Sequence, residues 1–585
     1  MFMRDVFVRV MVLCSVLLLA ACQGLPGKVT ETFDGTKAPD TPAPPVALPF
    51  TEPVKAQTEL DTEVVYNALL GEIASQRGDM ELAYESHLQA ARLSGDAKSA
   101  ERATRIGMYL KDNLQALEAV QLWVELAPNE LTARQLAAML SLEQGDDEAV
   151  FGHLKAVVSI SQVKGSDGFM HAITALSRSQ ESDRVIALMR RLAAEYPGQP
   201  EAEYAVALAA SIVKRLDVAE QEALQLIENH PDLEKGYILL SRVHVSNGDK
   251  PAARQVLEQA VNAYPNSALL HSAYGRLLID LQEVEPAYQQ FLALRELSPN
   301  QPEVHLSLGV LALQLEKLGE SRGHLLKNLE LDPKSNEAAY YLGRIDEIEE
   351  NHAAAINWYR QVSAGDLSYE AQVRMANLQA DGGSLAEARD SLRGLRIRFA
   401  NHSIELYLVE AEMLKKHAKP EDVSAVYNQG LAAHPGDTDL LYARALYAVT
   451  QDRLDILEQD LRVILDKDPE HADALNALGY TLTDRTERHQ EALGLIQRAL
   501  ALKPDAPAIL DSMGWVQYRL GNHAEALGYL QRAIELMPDS EIAAHLGAVL
   551  WVTGDREQAR KVWNDALESD PENQYLRDTM QQLTE

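Results

Sequence analysis

The chain has 585 residues, and its 87 acidic residues outnumber its 54 basic residues, which gives a formal net charge of −33. A surface with this charge repels phosphate backbones, so the composition excludes a nucleic-acid-binding protein. The only cysteines in the sequence are Cys14 and Cys22. The rest of the chain must therefore be stabilised by core packing, without disulfides or thiolate metal sites.

Residues 1–21 have the pattern of a secretion signal. Arg4 and Arg9 give a positive start, and residues 10–21 form an apolar run that is long enough for a signal core and too short for a membrane span. Residues 19–22, LAAC, resemble the lipobox of bacterial lipoproteins, which implies cleavage after Ala21 and lipidation of Cys22. The alternative is an ordinary signal peptide beside a cysteine that carries no lipid.

The resemblance to lipoproteins also implies a location. Gln23 follows Cys22, where an aspartate is associated with retention in the inner membrane, so the expected location is the outer membrane, with the protein lipid-anchored and facing the periplasm. Several acyl chains such as palmitate, each contributing ~0.8 kcal/mol per buried methylene, give stable anchoring.

Residues 22–57 are predicted to be a lipidated N-terminus and a Pro-rich linker. Such a segment is partly extended, at about 3.1 Å per residue where it is stiff, and separates a domain from its anchor. Seven prolines fall in this segment: Pro26, Pro39, Pro42, Pro44, Pro45, Pro49 and Pro53.

Beyond the linker, proline recurs at an interval of about 34 residues. The two regular runs are Pro197, Pro231, Pro265, Pro299, Pro333 and then Pro435, Pro469, Pro504, Pro538, Pro571. This period, with helical apolar spacing inside it, is typical of the tetratricopeptide repeat (TPR). We therefore predict an all-α TPR solenoid, a right-handed superhelix of about fifteen helix-turn-helix units, over residues 58–572, with a capping helix over residues 573–585.

Small residues recur inside each unit where two helices must approach closely. Gly514 on a first helix is followed by Ala526 and Leu530 on the second helix, and other units repeat this pattern. The small residues are expected to face each other, with the large residue filling the space beneath. Five glycines are expected to end first helices in the left-handed conformation: Gly78, Gly145, Gly248, Gly521 and Gly554.

The fifteen units are predicted to start at regular positions, although the pattern is weaker over residues 97–200 and 368–435. The predicted starts lie near Val64, Ala97, Leu131, Gly165, Pro200, Glu234, Ala268, Pro302, Asn336, Ser368, Ser403, Asp437, Ala472, Pro507 and Ser540.

No sequence motif points to catalysis. The chain has no HExxH, phosphate loop, dinucleotide fingerprint or cysteine pair, so we expect neither an enzyme nor a cofactor. We also expect no metal site, because His352, His489 and His523 occupy one recurring position of the repeat. Glu541 and His545, one helical turn apart, are interpreted as a surface pair.

Protein binding remains as the expected activity. In TPR proteins the first helices line the concave side, and the resemblance places the partner-binding residues of the C-terminal units at Tyr480, Asp511, Trp515, Tyr518 and Trp551. Aromatic side chains with a polar edge suit a protein-binding groove. The alternative is that these side chains pack against the neighbouring unit. A clamp for a terminal carboxylate is not expected, since only Asn476 fits that pattern.

One stretch, residues 389–419, has an excess of basic residues over acidic ones. Arg393, Arg396 and Arg398 within it are candidates for docking an acidic partner. The alternative is a charge-balanced helix face.

Residues 473–521 and 100–138 resemble the large outer-membrane TPR lipoproteins of Gram-negative bacteria, of the LbcA type. The resemblance implies a non-catalytic adaptor that binds a periplasmic serine protease of the carboxyl-terminal processing type and presents peptidoglycan hydrolases to it for proteolysis. The alternative role is a structural TPR lipoprotein of an outer-membrane exopolysaccharide exporter or of a pilus secretin.

Overall fold

The computed structural model describes residues 62–179 and 181–584. These residues form thirty-one α-helices and one short 3-10 turn at Ala400–His402, with no strand among them. The predicted all-α TPR solenoid is confirmed: fifteen helical pairs follow one another, and a single helix comes last. The predicted signal, Cys22 and the Pro-rich linker lie outside the described residues.

The helices divide into two compact units, one ending at Asp332 and the other beginning at Pro333. Within each unit, odd-numbered helices are the first and even-numbered helices the second of a pair. The N-terminal unit contains α1 (Thr62–Arg77), α2 (Met80–Ser94), α3 (Ala97–Leu110), α4 (Asn113–Leu126), α5 (Leu131–Gln144), α6 (Asp147–Val163), α7 (Gly168–Leu176), α8 (Ser182–Ala194), α9 (Pro200–Ile212), α10 (Leu216–Asn229), α11 (Glu234–Ser246), α12 (Lys250–Ala263), α13 (Ala268–Asp280), α14 (Val284–Leu297), α15 (Pro302–Gln314) and α16 (Leu318–Leu331).

The C-terminal unit has seven pairs and the closing helix. It contains α17 (Asn336–Ile348), α18 (His352–Gln361), α19 (Leu367–Asp381), α20 (Leu385–Arg398), α21 (Ser403–His417), α22 (Pro420–Ala433), α23 (Thr438–Thr450), α24 (Leu454–Lys467), α25 (Ala472–Arg485), α26 (His489–Leu502), α27 (Pro507–Arg519), α28 (His523–Leu536), α29 (Ser540–Thr553), α30 (Arg556–Ser569) and α31 (Gln574–Thr584). All fifteen first helices begin within three residues of their expected positions.

In most pairs the turn between the two helices uses the left-handed conformation, as predicted for the five glycines, whose φ angles are between +81° and +98°. In six other pairs a residue with a side chain takes the same conformation, with φ between +54° and +62°. This conformation costs a non-glycine residue roughly 1–2 kcal/mol, so helix packing on both sides of the turn must outweigh that cost. The six residues are Lys111, Lys214, Gln282, Glu316, Glu350 and Asp452.

The predicted close approach between paired helices is confirmed at Gly514 and at Gly547. A methyl group added at Gly514 would lie 2.5 Å from Cγ of Leu530, and one added at Gly547 would overlap the indole of Trp563. Trp563 is fully buried. The glycine therefore lets the large side chain of the second helix rest directly on the backbone of the first.

We predict that Gly547→Ala lowers the free energy of unfolding by roughly 1–3 kcal/mol, because the new methyl group forces Trp563 out of its place. The measurement is the midpoint of urea denaturation. Gly528→Ala is the matched control: Gly528 is exposed in α28 and a methyl group there meets no heavy atom within 4 Å. That control should raise stability by about 0.5–1 kcal/mol, and equal losses in both variants would contradict the packing role of Gly547.

Candidate protein-binding face of the C-terminal unit

The first helices of the last three pairs carry the four aromatic residues and the aspartate that the sequence assigns to partner binding. Tyr480 lies on α25, Asp511, Trp515 and Tyr518 lie on α27, and Trp551 lies near the end of α29. The structure brings Tyr480, Asp511 and Trp515 together around one histidine, His545 of α29.

His545 is at the centre of a buried polar cluster. Its ring is fully buried, with Nδ1 2.9 and 3.0 Å from the two carboxylate oxygens of Asp511 and Nε2 2.9 Å from the hydroxyl of Tyr575 on α31. The imidazole stacks on Trp515 with ring centroids 4.1 Å apart. The interpretation of His545 as half of a surface pair is therefore wrong, because the neighbouring first helix and the closing helix cover it.

Tyr480 completes this cluster from the other side. Its ring centroid lies 6.1 Å from that of His545, and its hydroxyl donates a hydrogen bond to the exposed carboxylate of Glu541. That bond joins α25 to α29. We call His545, Asp511, Trp515, Tyr480, Tyr575 and Glu541 the His545 cluster.

The acidic residues around His545 determine its charge. Burial alone would lower the pKa of His545, but the Asp511 carboxylate, with Glu541 and Asp484 in addition, outweighs burial and raises that pKa above its usual value. Burial and the Glu541 carboxylate raise the pKa of Tyr480. Burial, Asp484 and Glu541 likewise raise the pKa of Tyr575. These shifts favour the protonated form of His545 and of both phenols.

Two predicted binding residues differ in their surroundings. Tyr518 is half-buried and stacks on Trp515 with centroids 5.0 Å apart. Trp551 is separate from the cluster: its ring packs against Trp563 with centroids 5.7 Å apart, and the guanidinium groups of Arg556 and Arg560 lie 5.0 Å above it. Its assignment to partner binding stays a prediction.

The basic stretch of α20 is partly used inside the fold. Nε of Arg389 and Nη2 of Arg396 each lie 2.8 Å from a carboxylate oxygen of Glu410 on α21, which is 1% exposed. Arg396 is itself only 9% exposed, whereas 60% of the Arg393 side chain is exposed beside Asp390. Arg398 is exposed and lies over the ring of Phe399. Of the three predicted docking arginines, only Arg393 and Arg398 are accessible to a partner.

Sequence reasoning missed Glu410, although a signal was available. Glu410 stands at helical spacing from Leu406, Met413 and Leu414, all of which are buried on one side of α21. A carboxylate on an apolar helix stripe needs a buried cation as its partner, and the neighbouring α20 contains several arginines.

The part of the chain that the structure describes contains no cluster of metal ligands. Over residues 62–179 and 181–584, no group of three or more histidine, cysteine or acidic side chains is placed to hold a metal ion. None of the helices in the same residues has both the length and the apolar character that a membrane crossing requires.

Two tetratricopeptide repeat family models match the chain, one at residues 507–540 and the other at residues 238–302 and 442–507. The chain is also 33% identical over 543 residues to the TPR repeat-containing protein PA4667 of Pseudomonas aeruginosa, and the match covers 91% of this chain and 88% of that protein. The chain belongs to the tetratricopeptide repeat family. Proteins of this family are in general non-catalytic scaffolds that bind other proteins.

Solved structures of other TPR proteins are similar to parts of the chain. A TPR protein of Parabacteroides merdae is 16% identical, with 43% of this chain and 99% of that chain covered and a TM-score of 0.34. TTC0263 of Thermus thermophilus is 19% identical, with 31% of this chain and 98% of that chain covered and a TM-score of 0.28.

We predict that Arg396→Ala and Arg393→Ala have different effects on stability. Arg396→Ala should lower the free energy of unfolding by about 2–3 kcal/mol, because it leaves the buried Glu410 with Arg389 as its remaining ion-pair partner. Arg393→Ala should change it by less than about 0.5 kcal/mol, because the exposed pair with Asp390 is screened by water. Urea denaturation of both variants checks this. Similar midpoints would show that Arg396 is not structural.

Proposed function

We propose that this TPR protein is a non-catalytic scaffold, anchored in the outer membrane through lipidated Cys22 and facing the periplasm. In this role it binds a serine protease of the carboxyl-terminal processing type and presents peptidoglycan hydrolases to that protease. The protein contributes contact surfaces and position, and the chemistry belongs to the protease.

The observation that carries this role is the uninterrupted series of helical pairs, fifteen of them over the described residues, with no other fold inserted between them. Such a series presents consecutive first helices, whose side chains a protein partner can contact in several repeats at once. The relative PA4667 matches along nearly the same length, which indicates that the whole array is kept as one working unit. The resemblance of residues 473–521 and 100–138 to adaptor lipoproteins supports a protease as the partner.

The N-terminal segment supplies the second part of the proposed mechanism. A lipid on Cys22 and a Pro-rich linker hold the repeats within a limited distance of the membrane. Partner and client bound to one scaffold then meet at a raised effective concentration, without any new contact between them. Proteolysis is accelerated because an encounter between two proteins becomes an event within one assembly.

The accessible part of the candidate face determines what a partner can touch. Asp511 and His545 are buried and serve the fold. Tyr518 is half-buried, Glu541 is exposed and Tyr575 is 41% exposed. We therefore assign partner contact on this face to these last three residues.

The first test is a crosslinked pull-down of the lipidated protein from membranes, with mass spectrometry of the captured proteins. We expect a soluble PDZ-containing serine protease among the strongest hits, together with cell-wall hydrolases. A Cys22→Ser variant is the control: it should leave the membrane fraction and capture less of the hydrolases, because the tether no longer confines the assembly.

A different set of captured proteins would contradict the adaptor role. That set is a secretin or an outer-membrane barrel captured without any protease. The protein would then be a structural part of an exopolysaccharide exporter or of a pilus secretin.

A second prediction concerns the face that the protease contacts. Tyr518→Ala should weaken binding of the captured protease by roughly tenfold, about 1.4 kcal/mol, since half-buried aromatic residues are frequent hot spots of protein interfaces. Leu536→Ala is the matched control, because it removes apolar surface that is 51% exposed on a second helix, α28. Equal weakening by both variants, with unchanged circular dichroism, would show that first helices are not the binding face.

A further inference from the structure

His545 is a buried titratable group that the proposed scaffold role does not use. It connects three helices: its own α29, α27 through Asp511 and α31 through Tyr575. We propose that His545 is a proton-dependent link between these helices. Its protonated ring holds α29 and the closing helix α31 against α27, and its deprotonation weakens that packing. This inference does not depend on which partner the scaffold binds.

The closing helix α31 depends on its contacts with the helices before it. It has eleven residues, and Leu576 is the single residue of α31 that is buried. A helix of this length is marginal in water without tertiary packing. Leu576, with the partly buried Met580 and Leu583, packs α31 on the core of the last repeats, and the hydrogen bond between Tyr575 and His545 adds a polar contact with α29. Tyr575 is 41% exposed as a whole, but its hydroxyl meets a fully buried ring.

The charged groups that act most strongly on His545 are acidic. They are Asp511 on α27, Glu541 on α29 itself and Asp484 on α25. The other titratable groups facing the ring are the phenols of Tyr480 on α25 and Tyr575 on α31. Arg485 is paired with Asp484 at 3.2 Å, and its side chain is 47% exposed. A protonated His545 is thus the cation that balances the carboxylates of the cluster from inside.

Removing the proton changes the strength of the contacts and leaves their number the same. The protonated ring donates from Nδ1 to Asp511 and from Nε2 to the oxygen of Tyr575. The neutral ring still donates from Nδ1, and Nε2 accepts from the Tyr575 hydroxyl. The bond to Asp511 then loses its charge assistance, and the stacking on Trp515 loses its cation–π attraction. Asp511, only 5% exposed, is left as a buried charge without a counter-charge.

The direction of the pH effect follows from the raised pKa of His545 in the folded protein. A histidine in an unfolded chain has a pKa of about 6.5. The stabilisation is therefore complete below about pH 6.5 and is lost as the pH rises through the higher pKa of the folded state. Each unit between the two pKa values changes the equilibrium between closed and open helices about tenfold. Tyr480 and Tyr575 do not titrate in this range, because their pKa values are raised too.

The test is hydrogen exchange of the full chain, followed by mass spectrometry at pH 6 and pH 9. Protection factors are normalised to the intrinsic exchange rate at each pH. For wild type we expect protection of α29 and α31 to fall about tenfold or more between the two pH values. For His545→Gln, whose side chain keeps hydrogen-bonding groups without a charge, we expect low protection at both pH values. Helix α13 in the N-terminal unit is the internal control and should not change.

The proposal is overturned if α31 of wild type is equally protected at both pH values, or if His545→Gln shows the same fall as wild type. An NMR titration of the His545 ring in wild type needs no variant and is decisive if His545→Gln does not fold. A ring pKa above 6.5 is expected, and Asp511→Asn should bring it down. A ring pKa at or below 6.5 in wild type would also overturn the proposal.

Discussion

Six of the helical pairs depend on one close approach, between a glycine of the first helix and a large side chain of the second. The distance between the two helices is set there, because a methyl group on the glycine would lie closer than 3 Å to that side chain or would overlap it. The large residue follows its glycine by sixteen residues in each of the six: Gly71 and His87, Gly275 and Phe291, Gly309 and Leu325, Gly343 and Tyr359, Gly514 and Leu530, Gly547 and Trp563. A constant spacing in the chain thus gives these six pairs the same close contact.

Because this contact fixes the pair internally, the other positions of the first helices are free to differ between repeats. In the last repeats these positions hold most of the His545 cluster, and on α21 one of them holds Glu410, whose arginine partners lie on the second helix α20. Both arrangements use charged or aromatic groups to connect neighbouring helices. Part of this surface is therefore committed to internal bonds, whereas the side chains of Tyr518 and Tyr575 stay partly exposed.

The positions of the helices were predictable from the sequence, whereas the grouping of side chains around His545 was not. Glycine, alanine and proline mark each repeat by local rules, so the first helices begin within three residues of their expected positions. The partners of His545 lie 34 residues before it and 30 residues after it, and helical periodicity says nothing about which side chains of different repeats meet. For that reason Tyr480, Asp511 and Trp515 were predictable as residues of the first-helix face, whereas their grouping around a buried histidine was not.

The adaptor role makes its most direct claim about the amount of enzyme that cells keep at the cell wall. The decisive measurement is quantitative mass spectrometry of peptidoglycan hydrolases in cells that lack this protein, compared with the same cells carrying the wild-type gene. The account predicts that specific hydrolases accumulate when the protein is absent and return to normal levels when it is restored. Unchanged hydrolase levels, together with loss of an exported polysaccharide or of pili, would contradict it.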